Sequence, residues 1–255
     1  MRVRRQRRRM HLLVAAALVG SVTAAAPARA DHGTAPPVTS REVVGVTVQG
    51  RPIIAVHRAH EGATKRLLVI GNMHGDERAG LRVVRRLLDR EHFPREVDLW
   101  LIRTVNPDGT VAGWRTNAHG VDLNRNFPHR WRSSERGSTW SGTEPLSEPE
   151  SRALRDFVRR LDPWLTVVFH QPLFGVGSTD KRMPTVRALA EGIRLPVRDF
   201  VCTGICRGTF TGWVNSRTDG LGVTVEFGHS VPTWRIGRAA TTVLRVGAGL
   251  TDPAP

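Results

Sequence analysis

Tyrosine is missing altogether from the 255 residues, so no phenol is on hand as a hydrogen-bonding or proton-transferring group. Only two cysteines occur, Cys202 and Cys206. A pair this close joins the ends of a very small loop, which pins a turn but stabilises a whole fold little. In an exported chain it reads as one local disulfide; two free thiols or soft metal ligands remain open from the same spacing. Beyond the N-terminal segment, no apolar run approaches the ~18 to 20 residues of a membrane span. No internal repeat is evident. Acids are the scarcer charge: 23 Asp and Glu stand against 38 Lys and Arg, a formal net charge of +15.

The N-terminus reads as an export signal over residues 1–30. Arg2, Arg4, Arg5, Arg7, Arg8 and Arg9 form a basic n-region, Leu12 to Val19 an apolar h-region, and Ala28-Arg29-Ala30 a small-residue cleavage site before Asp31. A short anchor that stays attached is the alternative if cleavage fails. The Arg-Arg pair ahead of Met10-His11-Leu12 also fits twin-arginine export, although so Arg-rich a segment contains such pairs by chance. Residues 1–30 hold seven arginines and no acid, so the mature chain carries +8 of the +15. That excess is spread along the chain. It suits an anionic surface or substrate, including a cell wall, and by itself does not indicate nucleic acid. The expectation is a secreted, extracytoplasmic protein with no stable membrane insertion after cleavage.

A hydrophobic fraction of 40% supports one packed domain at this length. Residues 31–40, with Gly33, Pro36 and Pro37, read as a flexible leader, 41–250 as the folded domain and 251–255 as a frayed tail. Val44 to Val48 and Ile53 to Val56 flank Gln49-Gly50-Arg51-Pro52 as a hairpin. Strands follow at Lys65 to Ile70, Val97 to Val105, Thr166 to Phe169, Leu195 to Val201 and Val223 to Phe227. Helices are expected from just after Glu77 to about Arg90, from Ser147 to near Pro163, and over Pro184 to Gly192, Thr209 to Ser216 and Val231 to Leu250. Asn106-Pro107-Asp108-Gly109 reads as a turn, and Ser147-Glu148-Pro149-Glu150 as a capping box with Ser147 at the N-cap. Residues 109–146 form a long polar loop of the kind that is functional or disordered. Strands alternating with helices behind a leading hairpin imply an α/β domain with a central mixed sheet flanked by helices.

The chemistry gathers at strand ends. The turn after Leu67-Leu68-Val69-Ile70 carries His74 and Glu77, half of a zinc set that needs a distant second histidine. His170 ends another strand, so parallel pairing would bring the two together. His57 and His60 sit on or just past a strand, on opposite faces. His119 and Asp122 have metal-like spacing but lie in mid-loop with no strand to fix them. Glu226 is a carboxylate inside an apolar strand: an edge-strand surface residue, or a general base tuned by burial and a metal. Arg115 and Arg125 stay charged and can fork onto a carboxylate or oxyanion; Asn124 and Asn126 hem Arg125 in.

His74-Gly-Asp-Glu77, Asn106-Pro-Asp-Gly109, Gly120-Val-Asp-Leu-Asn-Arg-Asn-Phe127, Ser147-Glu-Pro-Glu150, His170 and Val225-Glu226-Phe227 occur together, over roughly residues 65–230, in the order of the zinc carboxypeptidase family. This resembles that family, and the stretch from Asn106 to Pro128 looks most like its bacterial murein peptide amidase and γ-D-glutamyl-diaminopimelate peptidase branch. The resemblance implies one zinc ion on His74, Glu77 and His170, Glu226 as general base, Arg115 for the oxyanion, and Asn124 with Arg125 for a substrate carboxylate. Asp76, beside the ligands, is expected to support them. The implied substrate is a peptide or muropeptide. The missing tyrosine is a departure from the digestive carboxypeptidases; Trp213 or Thr211 lies in the right region to line the pocket without supplying a phenol. Specificity is expected to lie in 109–146 and from Cys202 to Ser216. A general secreted metallocarboxypeptidase, an N-acyl amino acid deacylase and an inactive wall-binding homologue are the other readings. Oligomeric state is not legible.

Overall fold

Alternate residues of the Lys65–Ile70 strand point to opposite sides of a sheet, and both sides are apolar. Leu67 and Val69 join one core cluster, Leu68 and Ile70 the other. A strand buried on both faces belongs in the middle of a sheet covered by helices above and below. The structure, a computed structural model, describes residues 37–200 and 207–251. The expected signal, residues 31–36 of the leader, the Cys202–Cys206 pair and residues 252–255 lie outside the described residues.

The elements run β1 (Val38–Val46), β2 (Pro52–Ala59), β3 (Lys65–Ile70), α1 (Ala79–Leu88), β4 (Val97–Ile102), α2 (Pro107–Ala112), a 3-10 turn (Leu123–Arg125), α3 (Pro149–Leu161), β5 (Leu165–His170), β6 (Gly175–Gly177), α4 (Met183–Ile193), β7 (Val197–Arg198), α5 (Phe210–Arg217), β8 (Leu221–Glu226) and α6 (Thr233–Gly247). One eight-stranded sheet has the order β1-β2-β4-β3-β5-β8-β6-β7. Its centre, β4-β3-β5-β8, is parallel, while β2 and β6 flank it antiparallel, so the sheet is mixed as expected. Val84, Leu87, Leu189, Ile193 and Val243 pack on one face, and Leu154, Phe157, Phe210 and Trp213 on the other. No helix among the described residues is long and apolar enough to cross a membrane.

Four local readings are corrected. Val38 to Ser40, assigned to the leader, already pair with Ala59 to His57 and belong to β1. Asn106-Pro107-Asp108-Gly109 starts a helix: the Asn106 side chain accepts from the Gly109 amide at 2.9 Å, Pro107 needs no amide donor at the first position, and Gly113, at φ 74°, closes the far end. The capping box does not form. Glu148 occupies the N-cap of α3, and the Glu150 carboxylate turns away to take the Val48 amide and Asn117, both at 3.1 Å. Of Leu195 to Phe200, only Val197–Arg198 is strand, and Val201 lies outside the described residues.

The parallel centre places the C-terminal ends of β3, β5 and β8 side by side, with His170 directly opposite Glu226 in register. The β3–α1 turn is clamped against α2, where a Cβ added at Gly75 would collide with the backbone of Gly109 and Thr110. Gly75→Ala is therefore expected to cost about 1–3 kcal/mol of stability and to weaken zinc binding, because the backbone that must yield carries His74 and Glu77. Urea unfolding and a zinc-competition titration read the two effects.

Candidate metal centre and substrate cleft

His74, Glu77 and His170 are all buried, and each offers a ligand atom within 4.8 Å of the others. His74 Nδ1 lies 2.7 Å from Glu77 Oε1, His170 Nδ1 lies 2.8 Å from Glu77 Oε2, and the two Nδ1 atoms are 3.3 Å apart. Three donors converging on one point, two imidazoles and one carboxylate, fit a zinc ion that keeps an open fourth position. The other nitrogen of His74 is occupied as well: Nε2 sits 2.9 Å from Asp122 Oδ1. A metal held by Nδ1 would leave Nε2 to carry the proton and donate to Asp122, which would set tautomer and ring orientation.

Asp122 is the residue that sequence reasoning misjudged. It is fully buried, and its Oδ2 takes Arg115 Nη2 at 2.9 Å and Nε at 3.2 Å. Its Oδ1 also accepts the Asn124 amide at 2.9 Å, starting the 3-10 turn that ends on Arg125. The loop thus has an anchor without any strand. Asp76 does not support the ligands; it points to solvent, and its negative charge is felt by Arg115. The His119 of the same spacing is exposed and meets Glu148, with Nδ1 2.8 Å from Oε2. His57 stacks on Trp100, its ring centroid 4.3 Å away, on the opposite side of β4 from β3.

Charge organises the rest. Burial disfavours the charged forms of Glu77 and Asp122. The histidines around Glu77, and His74 with Arg115 around Asp122, outweigh it and hold both well below the usual carboxylate range. Burial also opposes the charge on Arg115, but Asp122 and Glu77 raise it; Arg115 Nη1 donates to Glu77 Oε1 at 3.1 Å. Burial lowers Arg125 against the pull of Asp122, and its Nη1 donates to the Asn124 carbonyl at 2.8 Å. Glu226 is pushed above its ordinary value, chiefly by burial and also by the Glu77 charge, with His170 and the Leu173 amide opposing. That amide donates to Glu226 Oε2 at 3.3 Å. A raised carboxyl is suited to taking up a proton and giving it back.

His74 is buried, which disfavours its charge, yet Asp122 and Glu77 raise it to about 9. Without metal, this gives a stabilisation complete below pH 6.5 and lost as the pH climbs through 9, on the order of 3 kcal/mol. Chelated protein is expected to lose roughly 5–10 °C of Tm between pH 6.5 and 9. Zinc-loaded protein, with metal in place of that proton, is expected to lose far less. Calorimetry at a series of pH values checks it.

The cleft has a volume of about 980 Å³, at the upper end of the usual range for ligand sites. His74, Glu77, Arg115, Asn124, Arg125 and Glu226 all line it. Both segments expected to carry specificity contribute to its lining, His129 and Arg130 from one and Thr209, Thr211, Asn215 and Ser216 from the described part of the other. Trp213 does not: it is fully buried in the core with Phe127 and Phe210. Asn124 braces the wall, its Oδ1 accepting the Phe210 amide at 3.0 Å, and Asn126 Nδ2 binds Ser141, Glu144 and Ser147. A third wall, Gly177 to Lys181 with Asp199 and Phe200, was missed. Its polar run carries no periodicity that would mark it.

Residues 29–172 match the zinc carboxypeptidase family, and the chain belongs to it; it is a metallopeptidase, and zinc is the metal its donor set fits. Within that class it is 35% identical over 189 residues to murein peptide amidase A of Escherichia coli strain K12, a match covering 66% of this chain and 73% of the relative. The crystal structure of murein-tripeptide amidase MpaA from Escherichia coli O157 superposes with a TM-score of 0.65 at 29% identity, over 89% of this chain and 97% of that one. Carboxypeptidase A from Helicoverpa armigera shares the fold, with a TM-score of 0.72 at 17% identity over 84% of this chain and 68% of that one.

Proposed function

We propose that this is an exported zinc peptidase that hydrolyses the amide between γ-D-glutamate and a diamino acid in peptidoglycan stem peptides. One observation carries the hydrolytic reading: His74 and Glu77, whose donor atoms converge with that of His170, face the same cavity as Glu226, Arg115 and Arg125. The likeness to murein peptide amidases supports the substrate, and the Arg-rich, apolar, small-residue order of residues 1–30 supports export.

A zinc ion bound by His74, Glu77 and His170 supplies Lewis acidity and brings water within reach of ionisation near neutral pH. Glu226, one strand over from His170, accepts the proton from the attacking water and delivers it to the departing amine. Arg115 presents Nη1 and Nη2 from its Asp122 and Glu77 anchors and meets the oxyanion as it develops. Arg125, buried in the wall beside Asn124, orients a substrate carboxylate.

Mass spectrometry of defined muropeptides digested by the mature protein, with and without chelator, tests this. The expected product is free diamino acid from the tripeptide, abolished by chelation and restored by zinc. Equal release of C-terminal residues from a generic blocked peptide would replace the reading with that of a general secreted metallocarboxypeptidase.

A further inference from the structure

A second large concavity lies outside the catalytic cleft, in the groove between α1 and the start of α6. Its volume is about 1020 Å³, and Arg78, Arg82, Arg85, Arg86, Arg90 and Arg103 line it together with His92. Asp89 and Glu91 are the only acids among its lining residues, leaving an excess of four positive charges. Arg85 pairs with Asp89 at 3.1 Å. The other contacts of these arginines are to neutral groups: Arg78 donates to the Thr110 carbonyl, Arg82 to the Val231 carbonyl and the Thr233 hydroxyl, and Arg90 to the Thr241 hydroxyl. Arg78, Arg82, Arg85, Arg86 and Arg103 are exposed.

Arg78, Arg82 and Arg85 or Arg86 follow one another at three- or four-residue steps, so their Cβ atoms rise about 5–6 Å at a time along one stripe. The stripe begins one residue after the zinc ligand candidate Glu77, which itself lines the cleft, and Arg78 donates to the Thr110 carbonyl of α2. It runs the length of α1 to His92. Cations at helical spacing with a net excess of four positive charges match a linear chain with one anion per short repeat.

We propose that this groove docks a phosphodiester polymer, one with a phosphate on each small polyol unit, and so holds the enzyme beside its cleft's substrate. A glycopeptide bearing carboxylates only on its stems has a sparser charge. The lining offers no Phe or Trp, so it lacks the stacking platforms on which single-stranded nucleic acid is held. The inference is independent of which amide bond is cut.

The test measures binding of zinc-loaded mature protein to labelled poly(glycerol phosphate) by anisotropy across a salt series. Poly-γ-glutamate and a single-stranded oligonucleotide of matched charge serve as competitors. Replacing Arg82, Arg86 and Arg103 by Gln is expected to weaken phosphate-polymer binding at least tenfold and to flatten the log–log salt slope by about 2. Hydrolysis of a soluble tripeptide should stay within twofold, which certifies the fold. Gln at Arg152, Arg155 and Arg160 on α3 should leave binding unchanged. Wild-type binding by the groove variant, or tighter binding of the polyglutamate or the oligonucleotide than of the phosphate polymer, overturns the proposal. Failure of the tripeptide to be cut by wild-type protein would count against the hydrolytic reading alone.

Discussion

Glu226→Gln protein is expected to lose hydrolysis by a factor of about 10²–10⁴, the range a positioned general acid–base supplies, while still binding one zinc per chain. The substitution keeps the shape and removes the proton acceptor. Glu226 is buried at the end of β8, its Oε2 takes the Leu173 amide at 3.3 Å, and it belongs to none of the three converging donors. Metal content should therefore survive. Burial raises the wild-type carboxyl, so the acidic limb of kcat/KM should lie above the ordinary carboxylate range, because the base must be unprotonated to act. Zinc by elemental analysis and kcat on a muropeptide decide the matter together. Full activity would remove Glu226 from the chemistry, whereas zinc loss would make it part of the metal centre.

Asp122→Ala has the second large effect, and it strikes three things at once. The carboxylate fixes His74 through Nε2, grips Arg115 through Nε and Nη2, and starts the turn that presents Asn124 and Arg125. Loss of an outer partner of a ligating histidine weakens metal binding about 10–100-fold. Removing one member of a buried ion pair costs about 3–5 kcal/mol; with the Arg115 side chain 26% exposed, the lower figure is expected. Asp122→Asn keeps the volume and one acceptor, so it should recover stability more fully than zinc affinity. Urea unfolding and competition with a chromophoric chelator separate the two. A zinc affinity unchanged in both variants would show that His74 needs no help from the loop.

The centre of the fold was legible because its strands are apolar on both faces, a pattern that leaves few placements. His170 and Glu226 were legible for a related reason: each is a polar residue ending a buried strand. Most of the expectations that failed depended on where a chain goes after it leaves regular structure. Asp76 neighbours Glu77 in sequence and turns outward, while Asp122, 48 residues from His74, folds back beneath it. Ser147 and Glu150 had the right spacing for a capping box, but a buried carboxylate found stronger tertiary donors in Val48 and Asn117. Trp213 suggested a pocket wall, yet its bulk serves the core beneath α5. The wall from Gly177 to Lys181 follows from the short strand β6, for which three residues leave hardly any trace in sequence.

The pairing of His170 with Glu226 across β5 and β8 has a consequence for how such an enzyme can change. Neighbouring strands sit about 4.8 Å apart, so the distance between the proposed ligand His170 and the proposed base Glu226 is ruled by the hydrogen-bond ladder of the sheet. A slip of one residue would turn every side chain of β8 to the wrong face, and the two cores forbid it. Loops lining the cleft are under no such constraint. Their lengths and charges are free to drift toward new peptides while the proton-transfer distance stays constant, which divides the molecule into an invariant gauge and a replaceable mould.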